Sequence, residues 1–238
     1  MSERGSSETT SKKALHGQEL VASLKRLFRT AEIEAVVGER TYQILKPANP
    51  DDLIREEDFV KDERLPYWAD IWPSSMILAA KLLELDGHGR TALELGCGAG
   101  LCTLAATQSG FDVLSTDYYE DALDFTRANT FTNLGAEGRT MLFDWRHPPA
   151  ELARYDMVFA SDVLYEIEYA RLLPQILRRT LSANGQGLIA DPGRVAAPTF
   201  VESCSENGLV AEKIDTRPFA AGEIRQSIDI FLIQRDGG

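Results

Sequence analysis

Ala92-Leu93-Glu94-Leu95-Gly96-Cys97-Gly98-Ala99-Gly100 constrains the fold of this chain more than any other stretch. An apolar strand runs into a turn with glycine at alternate positions, and an apolar helical pattern from Leu101 to Ser109 follows at once. Glycine has no Cβ, so the backbone can turn tightly there and come close to a ligand. The N–H groups that open the next helix lack intrahelical partners and point into the same crevice. This is the first strand–turn–helix unit of a nucleotide-binding sheet.

The chain then alternates. Strands are expected at Thr91–Leu95, Asp112–Thr116, Arg139–Phe143, Asp156–Ser161 and Gly187–Ala190, with helices at Leu101–Ser109, Glu120–Asn129 and Tyr169–Leu181. Continuous apolar strands separated by amphipathic helices imply a parallel sheet with right-handed crossovers and helices on both faces. A helix over Phe200–Glu206 is followed by two strands, Leu209–Ile214 and Ser227–Gln234, with no helix between them. The expected fold class is therefore α/β, a Rossmann-like, mostly parallel sheet closed by a hairpin-like ending.

Ahead of the sheet, residues 1–12 are polar and read as a disordered tail. A helix over Lys13–Phe28, with Leu20, Leu24, Leu27 and Phe28 at helical spacing, packs one face on the main domain or on a partner. Glu32–Val37 and Thr41–Leu45 form a hairpin around Gly38-Glu39-Arg40, and Asp51–Arg64 is an acidic connector. Residues 13–64 are thus an N-terminal extension and 65–238 the ligand-binding domain. Its first segment, Leu65-Pro66-Tyr67-Trp68-Ala69-Asp70-Ile71-Trp72-Pro73, is rich in aromatics, which either cover a sheet edge or line a site. Pro73 suits the first turn of the helix that runs on through Leu85.

A formal charge of -12 with scattered Lys and Arg disfavours nucleic acid as a partner. No apolar run reaches about 18 residues, and the polar start lacks a signal core, so no membrane segment or export is expected. Cys97, Cys102 and Cys204 share no metal-ligand spacing with His16, His88 or His147. They read as small buried hydrophobes of a cytoplasmic protein, with no metal.

A dinucleotide site would carry glycine at the first, third and sixth positions of the turn. Counting from Gly96, the third is Gly98 but the sixth is Leu101. Glu94, two before the first glycine, is the second difference. A carboxylate in the crevice repels a pyrophosphate and suits a ligand with an ammonium group. S-adenosylmethionine carries an ammonium and a sulfonium and no phosphate, and it is the expected cofactor. Asp117, at the end of the second strand, can accept both ribose hydroxyls, a feature that NAD sites share. Asp144 either accepts from an adenine amino group, with Trp145 walling the ring, or is a turn residue.

Four motifs carry a family resemblance: Trp72-Pro73, the glycine turn Glu94–Gly100, Asp144-Trp145, and Ser161-Asp162-Val163-Leu164-Tyr165. The chain resembles class I, seven-β-strand, S-adenosylmethionine-dependent methyltransferases. More narrowly it is similar to the protein-lysine methyltransferases with an Asp-x-x-Tyr motif, the group that includes the electron-transfer-flavoprotein β-subunit lysine methyltransferases. Asp191-Pro192-Gly193-Arg194 also matches bacterial members. The resemblance implies sheet order 3-2-1-4-5-7-6 with the last strand antiparallel. It implies cofactor contacts from Trp72, Gly96, Cys97, Gly98, Asp117, Trp145 and Ser161, with Gly100 and Asp144 beside them, and a hold on the methionine ammonium by Glu94. It further implies Asp162 and Tyr165 at the mouth where a protein lysine meets the methyl group. The bland alternative is that Asp162 caps the next helix and Tyr165 packs. A small-molecule amine acceptor, or an inactive binding module, are the competing functions.

Overall fold

The computed structural model describes residues 15–53 and 66–237. The polar tail at 1–12 and most of the connector at Asp51–Arg64 lie outside the described residues. The elements in chain order are α1 (Gly17–Leu27), β1 (Thr30–Val37), β2 (Arg40–Pro47), α2 (Pro73–Leu83), β3 (Thr91–Leu95), α3 (Leu101–Gln108) and β4 (Asp112–Asp117). Then come α4 (Glu120–Leu134), β5 (Arg139–Leu142), β6 (Tyr155–Ser161), α5 (Ile167–Thr180), β7 (Leu181–Asp191), α6 (Ala197–Glu206), β8 (Leu209–Ala221) and β9 (Ile224–Arg235).

Seven strands form one sheet in the order β5-β4-β3-β6-β7-β9-β8. The first five are parallel to their neighbours, and β9 alone runs antiparallel, between β7 and β8. The order reverses direction on either side of β3, which opens a crevice at the carboxyl ends of β3, β4 and β6. In open α/β sheets that is where ligands bind.

Alternation along the strands buries both faces. Met157, Phe159, Ile228 and Ile230 meet Leu78 and Leu82 of α2 and Leu101 and Leu104 of α3. Leu93, Leu95, Val158, Ala160 and Phe231 meet Leu173 and Leu177 of α5 and Phe200 of α6. Such two-sided burial explains why these strands read as continuous apolar runs. Pro73 stands in the first turn of α2, as its missing N–H allows.

Two strands run well beyond the expected bounds. The sequence places the fifth sheet strand at Gly187–Ala190, yet β7 starts at Leu181, which pairs with Tyr155 before an irregularity in register. In β8–β9, residues 217–227 pair in a two-stranded ribbon that hydrophobic alternation does not reveal, because most of them, Ile224 to Ser227 included, are exposed.

The N-terminal extension packs on this domain. Leu20, Val21 and Leu24 of α1 lie in one apolar cluster with Ala122, Phe125 and Ala128 of α4, and with Trp68. Ala35, Val37, Tyr42 and Ile44 of the hairpin join the core under α2 and α3. Asn129 of α4 ties them together: it accepts from Leu45 N and donates to the carbonyls of Leu45 and Ala99, at 2.8–2.9 Å. Asn129→Ala would strand these buried groups at about 1–3 kcal/mol for an unsatisfied group. We expect a loss near 3 kcal/mol and a fall in Tm of roughly 6–12 °C by calorimetry. A fall under 2 °C would mean that the groups find other partners. Among the described residues, no helix is long and apolar enough to cross a membrane.

Candidate active site

The glycine turn is pinned from β4. The N–H groups of Gly96 and Cys97 both donate to Thr116 O at 2.9 Å, and Gly98 N donates to Asp117 Oδ2 at 3.0 Å. Gly98 has φ +54°, and a Cβ there would sit 3.0 Å from the Trp68 carbonyl oxygen. Tyr67–Ala69, a 3-10 turn, therefore lies directly over the turn, and only glycine leaves room between them. Gly100 differs from the cofactor-contact expectation. It lies outside the cavity lining, and a Cβ there would meet Thr126 of α4 at 2.9 Å, so its glycine serves helix packing.

The cavity opens at the predicted crevice. Its walls include Trp72, Glu94, Gly96, Cys97, Gly98, Asp117, Asp144, Trp145, Ser161, Asp162 and Tyr165, so every other residue proposed from the sequence lines one space. Tyr67, Trp68 and Asp70 of the aromatic segment line it as well, together with Tyr118, Tyr119 and Tyr169, to which no motif in the chain points. Trp68 packs on Phe125, ring centroids 5.6 Å apart, while Tyr67 stands edge-on to Tyr165 at 5.5 Å. Tyr165 meets Tyr169 at 5.3 Å, and Tyr169 meets Trp145 at 5.7 Å. The aromatics thus form a wall of the site, which decides against a mere sheet-edge cover.

The electrostatics are one-sided. Asp70, Glu94, Asp117, Asp144 and Asp162 line the cavity, and no Lys, Arg or His is among the lining residues. Burial, with a smaller push from the charge of Asp117, raises the Glu94 carboxyl to about 8, against a hydrogen bond from Thr103 Oγ1. Burial also pushes Asp117 up, although the N–H groups of Gly98 and Tyr119 donate to it. Asp144 goes the other way. Although burial opposes it, hydrogen bonds from Arg146 and His147 hold that carboxyl well below the usual range. An adenine amino group would have to share Asp144 with Arg146, a partner that the sequence reading did not foresee.

Asp162 is the one non-glycine residue with positive φ, at +58°, among the described residues. Aspartate tolerates this region better than most residues, and such conformations gather at functional sites. Its N–H donates to Ala190 O at 2.9 Å. Its side chain accepts from Ser74 Oγ at 3.3 Å and from Arg194 Nε at 2.8 Å. Helix α5 begins three residues after Leu164, with Glu166 at its N-cap position and no side-chain cap, so Asp162 does not cap it.

Among the described residues the lining carries five carboxyl groups and no Lys, Arg or His of its own, although Lys46, Arg146 and Arg194 pair with Asp70, Asp144 and Asp162. This set offers a pyrophosphate little and fits S-adenosylmethionine, whose charges are an ammonium and a sulfonium. Gly98 lines this cavity, and a Cβ there would press on the Trp68 backbone above the turn, so the cradle keeps its shape only with glycine.

Comparison with known proteins agrees. A family model described as "Lysine methyltransferase" matches residues 56–206. The electron transfer flavoprotein beta subunit lysine methyltransferases of Xenopus laevis and Danio rerio are 32% and 34% identical over 137 residues, 54% of this chain and 53% and 51% of theirs. A histidine protein methyltransferase 1 homolog of Dictyostelium discoideum is 28% identical over 127 residues, covering 50% of this chain and 41% of that one. The chain spans about half the length of the curated relatives it matches. Among solved structures, the ribosomal protein L11 methylase of Lactobacillus delbrueckii subsp. bulgaricus superposes with TM-score 0.53 at 20% identity, over 68% of this chain and 78% of that one. Magnesium protoporphyrin IX methyltransferase of Synechocystis PCC 6803, with bound SAM, gives 0.53 at 16% identity, over 75% and 85%. These two share the fold.

Proposed function

Because the chain belongs to the lysine methyltransferase family, we propose that it N-methylates a lysine side chain of a protein, using S-adenosylmethionine. When bound, that cofactor would supply an activated methyl group, to be taken by an acceptor nitrogen that offers a free lone pair. One observation carries the reading. One cavity is lined by the glycine cradle, by the carboxylates and by Asp162 and Tyr165, so a cofactor and an acceptor could meet within it.

Gly96, Cys97 and Gly98 would hold the methionine end by their backbone, with Glu94 toward its ammonium. Asp117 would take the ribose, Trp145 and Asp144 the adenine side, and Trp72 and Ser161 the remaining walls. At the mouth, Asp162 would orient the acceptor amine, with Tyr165 beside it and the amine's proton passing to water. A free lysine has a pKa near 10.4, so deprotonating it at pH 7 costs about 4.6 kcal/mol. An apolar mouth lowers that cost by disfavouring the ammonium, and the rings of Tyr67, Tyr165 and Tyr169 provide such a surface. Three buried thiols support a reducing compartment, the cytoplasm.

The test is incubation with S-adenosylmethionine labelled in its methyl group and a cell extract, followed by hydrolysis of the labelled protein. Label in methyl-lysine supports the reading. Label in methyl-histidine moves the acceptor, label in small molecules favours a small amine, and none at all leaves a binding module. The beta subunit of an electron transfer flavoprotein, the acceptor in the names of the relatives, is the first purified protein to try.

Cofactor binding should be linked to protons. With Glu94 near 8 in the free protein, the carboxyl is mostly neutral at pH 7. A cationic ligand favours the carboxylate, so binding expels a proton. Affinity then rises up to about tenfold per pH unit below 8. Above that, the ligand's own α-amino group, near 7.7–8.0, loses its charge and affinity falls again. We expect isothermal titration to give an optimum near pH 8, and Glu94→Gln to flatten the acid side. An acid side unchanged in Glu94→Gln would assign the proton elsewhere.

A further inference from the structure

Arg194 belongs to the loop after β7 and lies thirty-two residues beyond its partner Asp162. Its Nε donates to Asp162 Oδ1 at 2.8 Å and its Nη2 lies 2.6 Å from the same oxygen in an ion pair, while its Cζ lies over the Trp72 ring, 5.7 Å from the centroid. Asp191 sets the loop: its Oδ1 accepts from the N–H groups of Gly193 and Arg194 at 2.8 and 2.7 Å. Asp191 is fully buried, and its Oδ2 has no hydrogen-bond partner among the described residues. The mouth aspartate is thus half of an ion pair whose cation is held in place from a neighbouring strand.

That pairing answers a difficulty in the proposed chemistry. A carboxylate within about 4–6 Å of an amine favours its protonated form and raises its pKa by about 1–3 units. An unpaired Asp162 would therefore trap the acceptor as an ammonium ion with no lone pair. We propose that Arg194 is a positioning residue that cancels the charge of Asp162 toward the incoming amine, so that the lysine reaches the mouth as a neutral nucleophile, its proton passing to water. The inference rests on the lysine reading above. The other groups around the mouth do not replace Arg194. Tyr165 follows β6 and Tyr169 is on α5, whose start carries the exposed Glu166 and Glu168. Ser74 is on α2, and Tyr67 and Asp70 precede it, Asp70 being paired with Lys46 at 2.7 Å. Deeper in the cavity lie Glu94, Asp117 and Asp144. Arg194 is the cation bound to Asp162.

The test takes the extract protein that the unaltered enzyme labels most, purified as acceptor, and compares Arg194→Gln and Arg194→Lys across pH 6–10. For Arg194→Gln, the acid limb of kcat should move up by about one pH unit, a tenfold loss at pH 7 that recovers to within threefold at pH 9.5. The KM for the acceptor should fall or hold, because the bare carboxylate binds the ammonium more tightly. Arg194→Lys should restore the limb. A uniform loss at every pH, or a rise in KM, would mean that Arg194 only supports the loop, and overturns the proposal. If the unaltered enzyme labels no lysine, the functional reading itself fails and takes the proposal with it; an unmoved pH limb with intact lysine labelling overturns the role of Arg194 alone.

Discussion

Gly98→Arg should give a folded protein with no measurable uptake of S-adenosylmethionine, a loss of at least about a hundredfold. The Gly98 Cβ position lies 3.0 Å from the Trp68 carbonyl, and that oxygen belongs to a backbone buttressed by Trp68 on Phe125. The backbone there cannot step aside without disturbing the cluster over α4. A larger side chain must therefore turn into the cavity, where the cofactor's methionine end is expected. The left-handed φ of +54° adds strain of about 1–2 kcal/mol for a residue with a Cβ. Circular dichroism should keep the helical signal while calorimetric titration loses its heat. Normal titration by a folded Gly98→Arg protein would remove the turn from the cofactor site.

Asp162→Asn should do the opposite, leaving cofactor affinity within about twofold and lowering turnover by about a hundredfold, the scale of a misplaced acceptor, because the amide loses the ion pair with Arg194 and orients the amine less well. Asparagine also tolerates the left-handed region, so the φ of +58° survives the change. Ser74 can still donate to the amide oxygen, and the N–H bond to Ala190 is untouched. What disappears is the negative charge at the mouth. Methyl transfer at the normal rate by Asp162→Asn would show that the acceptor needs no carboxylate there.

Much of the architecture could be read from residues alone, because two-sided burial writes itself as apolar runs and helices as periodic stripes. The strand order and the single antiparallel strand followed from the resemblance and hold in the structure. The misses have a common cause. Asn129 and Arg194 are polar residues whose partners lie far along the chain, so even where a motif names Arg194, as in Asp191-Pro192-Gly193-Arg194, its partner Asp162 is not announced. Gly100 misled for the converse reason: a glycine needed for helix packing looks, in sequence, like one needed for a ligand. The distal β8–β9 ribbon buries little: β8 alternates there only between exposed and half-buried residues, and Ile224 to Ser227 of β9 are exposed.

The position of β9 between β7 and β8 sets an order of assembly on the ribosome. β7 leaves the tunnel well before β9, yet β9 is its neighbour on that flank, pairing Asp191 with Asp229. Until β9 emerges, β7 is an open edge and Asp191 lacks the cover that buries it. The backbone bonds that shape the turn at Gly96–Gly100 come from β3 and β4, not from those later residues. During synthesis, then, the half that would grip the cofactor can consolidate on the nascent chain first, and the half that would receive the acceptor is finished only when the hairpin docks.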